Sequence, residues 1–169
     1  MYKLMIADDE PLIRRGIKQL IDLSSLQIGE IHEASTGEEA LKVFEEFKPE
    51  IVLMDINMPK IDGLSVAKKI KSINPDTKIA IITGYNYFDY AQTAIKIGVE
   101  DYILKPVTKS EIEALLVKVV SKLNEEKRQR ELLALASEED SSSGTQHFEK
   151  LILEQLTNPN LALGELAKQ

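Results

Sequence analysis

The hydrophobic positions of the chain switch repeatedly between short unbroken runs and stripes spaced three or four residues apart. Ile51-Val52-Leu53-Met54 is the clearest run, four apolar residues without alternation, as in a strand buried on both faces of a parallel sheet. It ends at Asp55-Ile56-Asn57, and Met58-Pro59 and then Asp62-Gly63 break any continuation. Lys3-Leu4-Met5-Ile6-Ala7 is a similar strand that stops at Asp8-Asp9-Glu10. Lys78 to Thr83 is another, stopped by Gly84, and Tyr102-Ile103-Leu104 is a last one before Lys105-Pro106. Glu30-Ile31-His32-Glu33-Ala34 carries a polar alternation that predicts an edge strand.

Between these runs the spacing changes to that of amphipathic helices. Pro11 suits a first helical position, followed by a stripe of Ile13, Ile17, Leu20 and Ile21. Ser35-Thr36-Gly37-Glu38-Glu39 opens a second helix with Ala40, Leu41, Phe44 and Phe47 on its apolar face. Leu64 to Ile73 forms a third, ended by Asn74-Pro75-Asp76, and Phe88 to Ile97 a fourth, ended by Gly98. Thr108-Lys109-Ser110-Glu111 starts a fifth, with Ile112, Leu115, Leu116, Val119 and Leu123. Five strands alternating with five helices predict an α/β fold, a parallel sheet covered on both faces through right-handed crossovers. The fifth helix runs on through Asn124 to Leu135, where charged residues replace the stripe. Glu138 to Gly144 has the composition of a flexible linker. Phe148, Leu151, Ile152, Gln155 and Leu156 then suit one amphipathic helix before Asn158-Pro159-Asn160 breaks it.

A length of 169 residues accommodates one well-buried domain and an appendage. The chain has no cysteine, which removes disulfide and thiolate chemistry and fits a reducing, cytoplasmic location. It shows no signal peptide and no apolar run long enough to span a membrane. A net charge of −7 argues against a generally basic surface that coats nucleic acid.

The polar residues at the strand ends change the picture. Asp8 and Asp9, Asp55, Thr83 and Lys105 follow or close the first, third, fourth and fifth strands. In a parallel sheet those ends share the edge where open α/β folds bind ligands. Singly, each has a structural role open to it. Asp8-Asp9 suit the positive end of a helix, Asp55 a turn, Thr83 and Tyr102 a strand, and Lys105 a solvated surface. Their convergence on one crevice points to chemistry. Two carboxylates about 4 Å apart repel by roughly 4 kcal/mol at an effective dielectric near 20, so three need a raised pKa or a cation. Hard oxygen donors suit Mg²⁺. Asp9 and Asp55 would be direct ligands, Asp8 direct or through water, and Asn57 would offer its backbone carbonyl. Lys105 adds a second positive charge. This set suits phosphoryl transfer onto a carboxylate, with Asp55 as nucleophile. The Thr83 hydroxyl would then donate to a phosphoryl oxygen, and Tyr102 would move into the space vacated behind the loop.

The ordered set of Asp8-Asp9, Asp55 with Met58-Pro59 and Asp62-Gly63, Thr83-Gly84, and Tyr102 followed by Lys105-Pro106 resembles the receiver domain of bacterial two-component response regulators. The resemblance covers residues 1 to 123. It implies a flavodoxin-like doubly wound sheet of order 2-1-3-4-5 with a helical C-terminal extension. It also implies phosphorylation of Asp55 by a sensor histidine kinase, an Mg²⁺ requirement, a cis peptide before Pro106, and an aromatic switch at Tyr102. Homodimerisation through the fourth-helix, fifth-strand and fifth-helix face follows from the same likeness. So does a signalling role without catalysis, beyond taking phosphoryl groups from small donors and losing them again.

Gly84-Tyr85-Asn86-Tyr87-Phe88-Asp89-Tyr90-Ala91 is similar to receivers attached to AraC-type DNA-binding domains. Leu161-Ala162-Leu163-Gly164-Glu165-Leu166-Ala167 is similar to the opening of the first helix-turn-helix of such a domain. Ala162 replaces a common capping Ser there, and Gly164 weakens the helix that follows. The organisation expected is thus a receiver over 1–123, a helical and flexible linker over 124–145, and a partial helix-turn-helix domain over 146–169. DNA would be read only through a C-terminal part beyond this sequence, in a longer transcription regulator. Two alternatives remain: a stand-alone receiver acting by protein contact, and an Mg²⁺-dependent phosphatase. The second wants an acid close after the nucleophile, where Ile56-Asn57 offers only an amide.

Overall fold

A computed structural model describes residues 1–84 and 88–139. The unbroken apolar runs become strands and the striped segments become helices, in strict alternation. Strands β1 (Tyr2–Ala7), β2 (Ile28–Ala34), β3 (Ile51–Met54), β4 (Lys78–Thr83) and β5 (Asp101–Leu104) form one sheet of order β2-β1-β3-β4-β5, all pairs parallel. Between them run α1 (Pro11–Leu20), α2 (Gly37–Phe47), α3 (Gly63–Ile73) and α4 (Phe88–Ile97), and α5 (Lys109–Glu139) follows. This is the doubly wound, flavodoxin-like arrangement expected. The polar alternation of β2 marks an outer strand, as anticipated.

The core explains why the central runs lack alternation. Met5, Ala7, Val52, Met54, Ile79 and Ile81 pack in one cluster with buried residues of α2, α3 and α4. The alternate residues Leu4, Ile6, Ile51, Leu53, Ala80 and Ile82 are also buried and point to the opposite face. Helices α1 and α5 bring the buried Ile17, Ile112, Leu115, Leu116 and Val119, none of which belongs to the first cluster.

Capping chemistry sets the helix starts. Thr36 accepts from the Glu39 N–H at 3.1 Å, while the Glu39 carboxylate reaches back to Ser35, accepting from its N–H at 2.7 Å and its hydroxyl at 2.6 Å. Asp62 does more than break a strand. It caps α3, accepting from the Ser65 N–H at 2.9 Å and hydroxyl at 2.7 Å. Thr108 and Glu111 cap each other at the start of α5.

The chain divides into two units, Met1–Lys122 and Leu123–Gln169. In the second, the described part is the distal stretch of α5, whose surface carries the pairs Glu125–Arg128, Glu126–Arg130 and Lys127–Glu131. The helix continues to Glu139, so Glu138 and Glu139, expected in a flexible linker, are helical. The remaining linker, the predicted helix around Phe148 to Leu156 and the segment Leu161 to Ala167 lie outside the described residues, as do Tyr85, Asn86 and Tyr87.

Candidate functional site

The carboxyl ends of β1, β3 and β5 meet at one crevice of about 220 Å³, lined by Asp9, Glu10, Asp55, Asn57, Gly84 and Lys105. Backbone pairing carries the acids to it. Asp8 donates its N–H to the Ala34 carbonyl at 3.0 Å, and Asp55 donates to the Ala7 carbonyl at 2.8 Å. Each acid is therefore held one step beyond its strand by the neighbouring strand. Arg14 adds a second restraint, with Nη1 donating to the Asp8 carbonyl at 2.6 Å and Nε paired with Glu33 at 3.0 Å.

The loop after Asp55 is anchored from below and above. Ile56 and Met58 are buried in the core, and the Gly63 N–H donates to the Ile56 carbonyl at 2.8 Å. Gly63 approaches the Asp55 backbone so closely that an added Cβ would collide with the Asp55 carbonyl oxygen. An added Cβ on Gly37 would likewise strike the carbonyl of Ile61. The two helix starts thus clamp the Asp55 loop by sitting closer than any side chain allows.

Lys105 is the electrostatic centre. Its Nζ lies 2.7 Å from Asp8 Oδ2, 3.4 Å from Asp55 Oδ2 and 3.5 Å from Glu10 Oε1. Asp8, Asp9 and Asp55 each offer a carboxylate oxygen, all within 4.8 Å of one another, with Asp8 and Asp55 buried. Burial pushes the Asp55 carboxyl above the ordinary carboxylate range. Lys105 pulls it back, and the neighbouring Asp8 charge adds to the rise. Burial also works against the Lys105 ammonium, but the hydrogen bond it donates to Asp8 and the charges of Asp55 and Asp8 hold it above its usual value. Each close carboxylate pair repels by about 3–4 kcal/mol at an effective dielectric near 20, and one ammonium faces four acids. That excess of negative charge favours a bound cation. A compact set of hard oxygens, two of them dry, suits a divalent ion that keeps part of its water shell.

Four of the residues singled out in the sequence, Asp8, Asp9, Asp55 and Lys105, come together as expected, and Asn57 lines the crevice with an exposed side chain. Thr83 and Tyr102 do not line it. Thr83 is fully buried at the end of β4, and its carbonyl accepts from the Lys105 N–H at 2.8 Å. Tyr102 is partly buried against the core cluster, opposite Ile81. Burial raises its hydroxyl above the ordinary tyrosine value, with smaller contributions from Tyr90 and Asp55. The Lys105–Pro106 peptide is cis. Glu10 and Arg14 were not singled out. The adjacency of Glu10 to Asp8-Asp9, and an arginine one turn into the helix after them, were the available signals.

Residues 4–118 match the model of the response regulator receiver domain. Among solved structures, the chain is similar to the REC domain of AraT, a response regulator from Geobacillus stearothermophilus. That likeness is 38% identity over 75% of this chain and 98% of that one, with a TM-score of 0.71. It is also similar to a two component transcriptional regulator AraC from Clostridium phytofermentans ISDg, at 26% identity over 76% and 99%, with a TM-score of 0.68. Curated relatives include the transcriptional regulatory protein YesN of Bacillus subtilis (strain 168), 36% identical over 73% of this chain and 33% of that protein. The transcriptional regulatory protein HptR of Staphylococcus aureus (strain NCTC 8325 / PS 47) is 36% identical over 76% and 50%. The chain thus spans a third to a half of the length of these two relatives.

Proposed function

The chain belongs to the response regulator receiver domain family, and on that footing we propose that it is the phospho-accepting switch of a two-component system, with Asp55 as the acceptor. The observation that carries this reading is the placement of Lys105 Nζ 2.7 Å from Asp8 and 3.4 Å from Asp55, beside a third carboxylate within 4.8 Å. Asp8, Asp9 and Asp55, with the backbone carbonyl of Asn57, would hold Mg²⁺. When bound, the ion supplies charge neutralisation for the transferring phosphoryl oxygens. An Asp55 carboxylate oxygen attacks phosphorus as the bond from phosphorus to the donor histidine nitrogen breaks, and the electron pair leaves with that nitrogen. Lys105 turns toward the incoming oxygens and offsets their charge.

Thr83 closes β4 next to Gly84, which lines the crevice, so a small shift brings its hydroxyl to the phosphoryl group. Tyr102 lies on the adjacent strand and follows that shift, altering the α4, β5 and α5 face. The partners proposed are a sensor histidine kinase and a second copy of the chain bound through that face. Membership of this family supports a signalling role, and the names of the relatives support a role in transcription regulation; a cytoplasmic location is part of the same proposal. We propose a receiver over 1–123, a linker over 124–145 and the opening of an AraC-type DNA-binding domain over 146–169. Among the described residues, no helix is long and apolar enough to cross a membrane.

Incubation with acetyl phosphate and Mg²⁺ tests the acceptor. One phosphoryl group should be added, and Asp55→Asn should abolish it. Equal labelling of the variant would overturn the assignment.

A further inference from the structure

The four carboxylates at the crevice, three of them paired with Lys105, are not alike. Asp8, Asp9 and Asp55 form the tight oxygen cluster, whereas Glu10 stands outside it. The Glu10 side chain is 62% exposed, yet it lines the crevice and brings Oε1 within 3.5 Å of Lys105 Nζ. Its backbone N–H donates to Asp8 Oδ1 at 2.9 Å, tying its main chain to the acid cluster. Glu10 is the N-cap of α1 but makes no side-chain cap hydrogen bond, so capping does not account for where its carboxylate lies.

Glu10 is the most exposed of the acids paired with Lys105 and lines the crevice, so its charge acts on any phosphodonor that enters there. An acyl phosphate such as acetyl phosphate carries two negative charges near neutral pH, whereas phosphoramidate, protonated on nitrogen, carries one net negative charge. Coulomb repulsion grows with the product of the charges. Lys105 must also release Glu10 as it pairs with the arriving oxygens. Resting on the phosphoacceptor reading above, we propose that Glu10 is a charge filter at the crevice entrance, a specificity-determining residue that disfavours multiply charged small phosphodonors relative to less charged ones. The transfer itself is the same for both. An Asp55 oxygen bonds to phosphorus, and the leaving group departs with its electron pair, as acetate from one donor and as ammonia from the other.

The test uses the 169-residue chain with saturating Mg²⁺. Initial phosphorylation rates are followed by intact-mass spectrometry against donor concentration. At low salt, Glu10→Gln should raise the second-order rate for acetyl phosphate about threefold or more, and that for phosphoramidate by well under twofold. Glu10→Lys should widen the gap. At 1 M salt, where the Debye length falls from about 10 Å at 0.1 M to about 3 Å, the preference should collapse. Equal effects on both donors, no effect, or a gap that survives 1 M salt overturns the filter. A wild-type chain that accepts from neither donor removes the acceptor reading along with it. A wild type labelled at Asp55 beside an indifferent Glu10→Gln removes the filter alone.

Discussion

Lys105 neutralises two buried acids at once, so its removal and the removal of an acid should have opposite signs. Breaking a buried, hydrogen-bonded pair typically costs 3–5 kcal/mol, because the surviving charge keeps its desolvation penalty. Lys105→Ala should therefore lower the unfolding free energy of the metal-free protein by about 3 kcal/mol in urea titrations, and Mg²⁺ should recover part of that loss. Asp55→Asn should instead stabilise the metal-free protein, because it removes a charge that burial and the neighbouring Asp8 disfavour while Lys105 keeps its pairing with Asp8. The pH dependence follows from the raised Asp55 pKa. The folded state binds that proton more tightly than the unfolded state, so wild-type stability gains as pH falls through the folded pKa toward the ordinary carboxylate value. The advantage of Asp55→Asn should be greatest above that folded pKa and shrink below it. An advantage that is flat with pH would assign the gain to packing. Asp8, Asp9, Asp55 and Lys105 were legible in the sequence because each follows an apolar run whose end is unmistakable. Glu10 and Arg14 were not, since position along a chain does not reveal which groups a side chain meets across a loop.

At the level of elements, the helix period and the unbroken apolar runs located every strand and helix of the sheet domain, and α4 and β4 have the bounds read from the sequence. Boundaries moved where a cap or pairing partner decided them. Strand β2 begins two residues early because Tyr2 pairs with Ile28, and α3 takes in Gly63 because Asp62 caps it. The clamp on the Asp55 loop was the illegible part. Asp62-Gly63 reads as a breaker in the sequence, and nothing local discloses that Gly63 abuts the Asp55 carbonyl. Gly63→Ala should force that loop and α3 apart, at a cost of about 1–3 kcal/mol, the range for overpacking a filled site. Because the displaced atoms belong to Asp55 itself, the rate of phosphorylation should fall along with stability. A variant of normal stability and normal rate would show that the loop yields freely.

At the scale of the whole molecule, β2 and β5 are the two outer strands, and the helices before and after β5 in the chain, α4 and α5, both carry exposed apolar side chains. Ile95 on α4 is 76% exposed and Val117 on α5 is 53% exposed, with Leu104 partly exposed on β5 between them in the chain. The ion pairs Lys118–Asp101 and Lys122–Glu100 tie α5 to β5 and its approach. Exposed single residues are ordinary, but a set on one edge suits association with a like edge. Ile95→Asp places a charge where two such edges would meet, and a substitution at so exposed a site typically alters folding by no more than about 0.5 kcal/mol. The proposed dimer face therefore makes a separable prediction. Phosphorylated Ile95→Asp should dimerise at least about tenfold more weakly than phosphorylated wild type in light scattering, a difference of about 1.4 kcal/mol. Its phosphorylation rate should match the wild type, because Ile95 does not line the crevice. Undiminished dimerisation would move the output to another surface and leave the chemistry at Asp55 untouched.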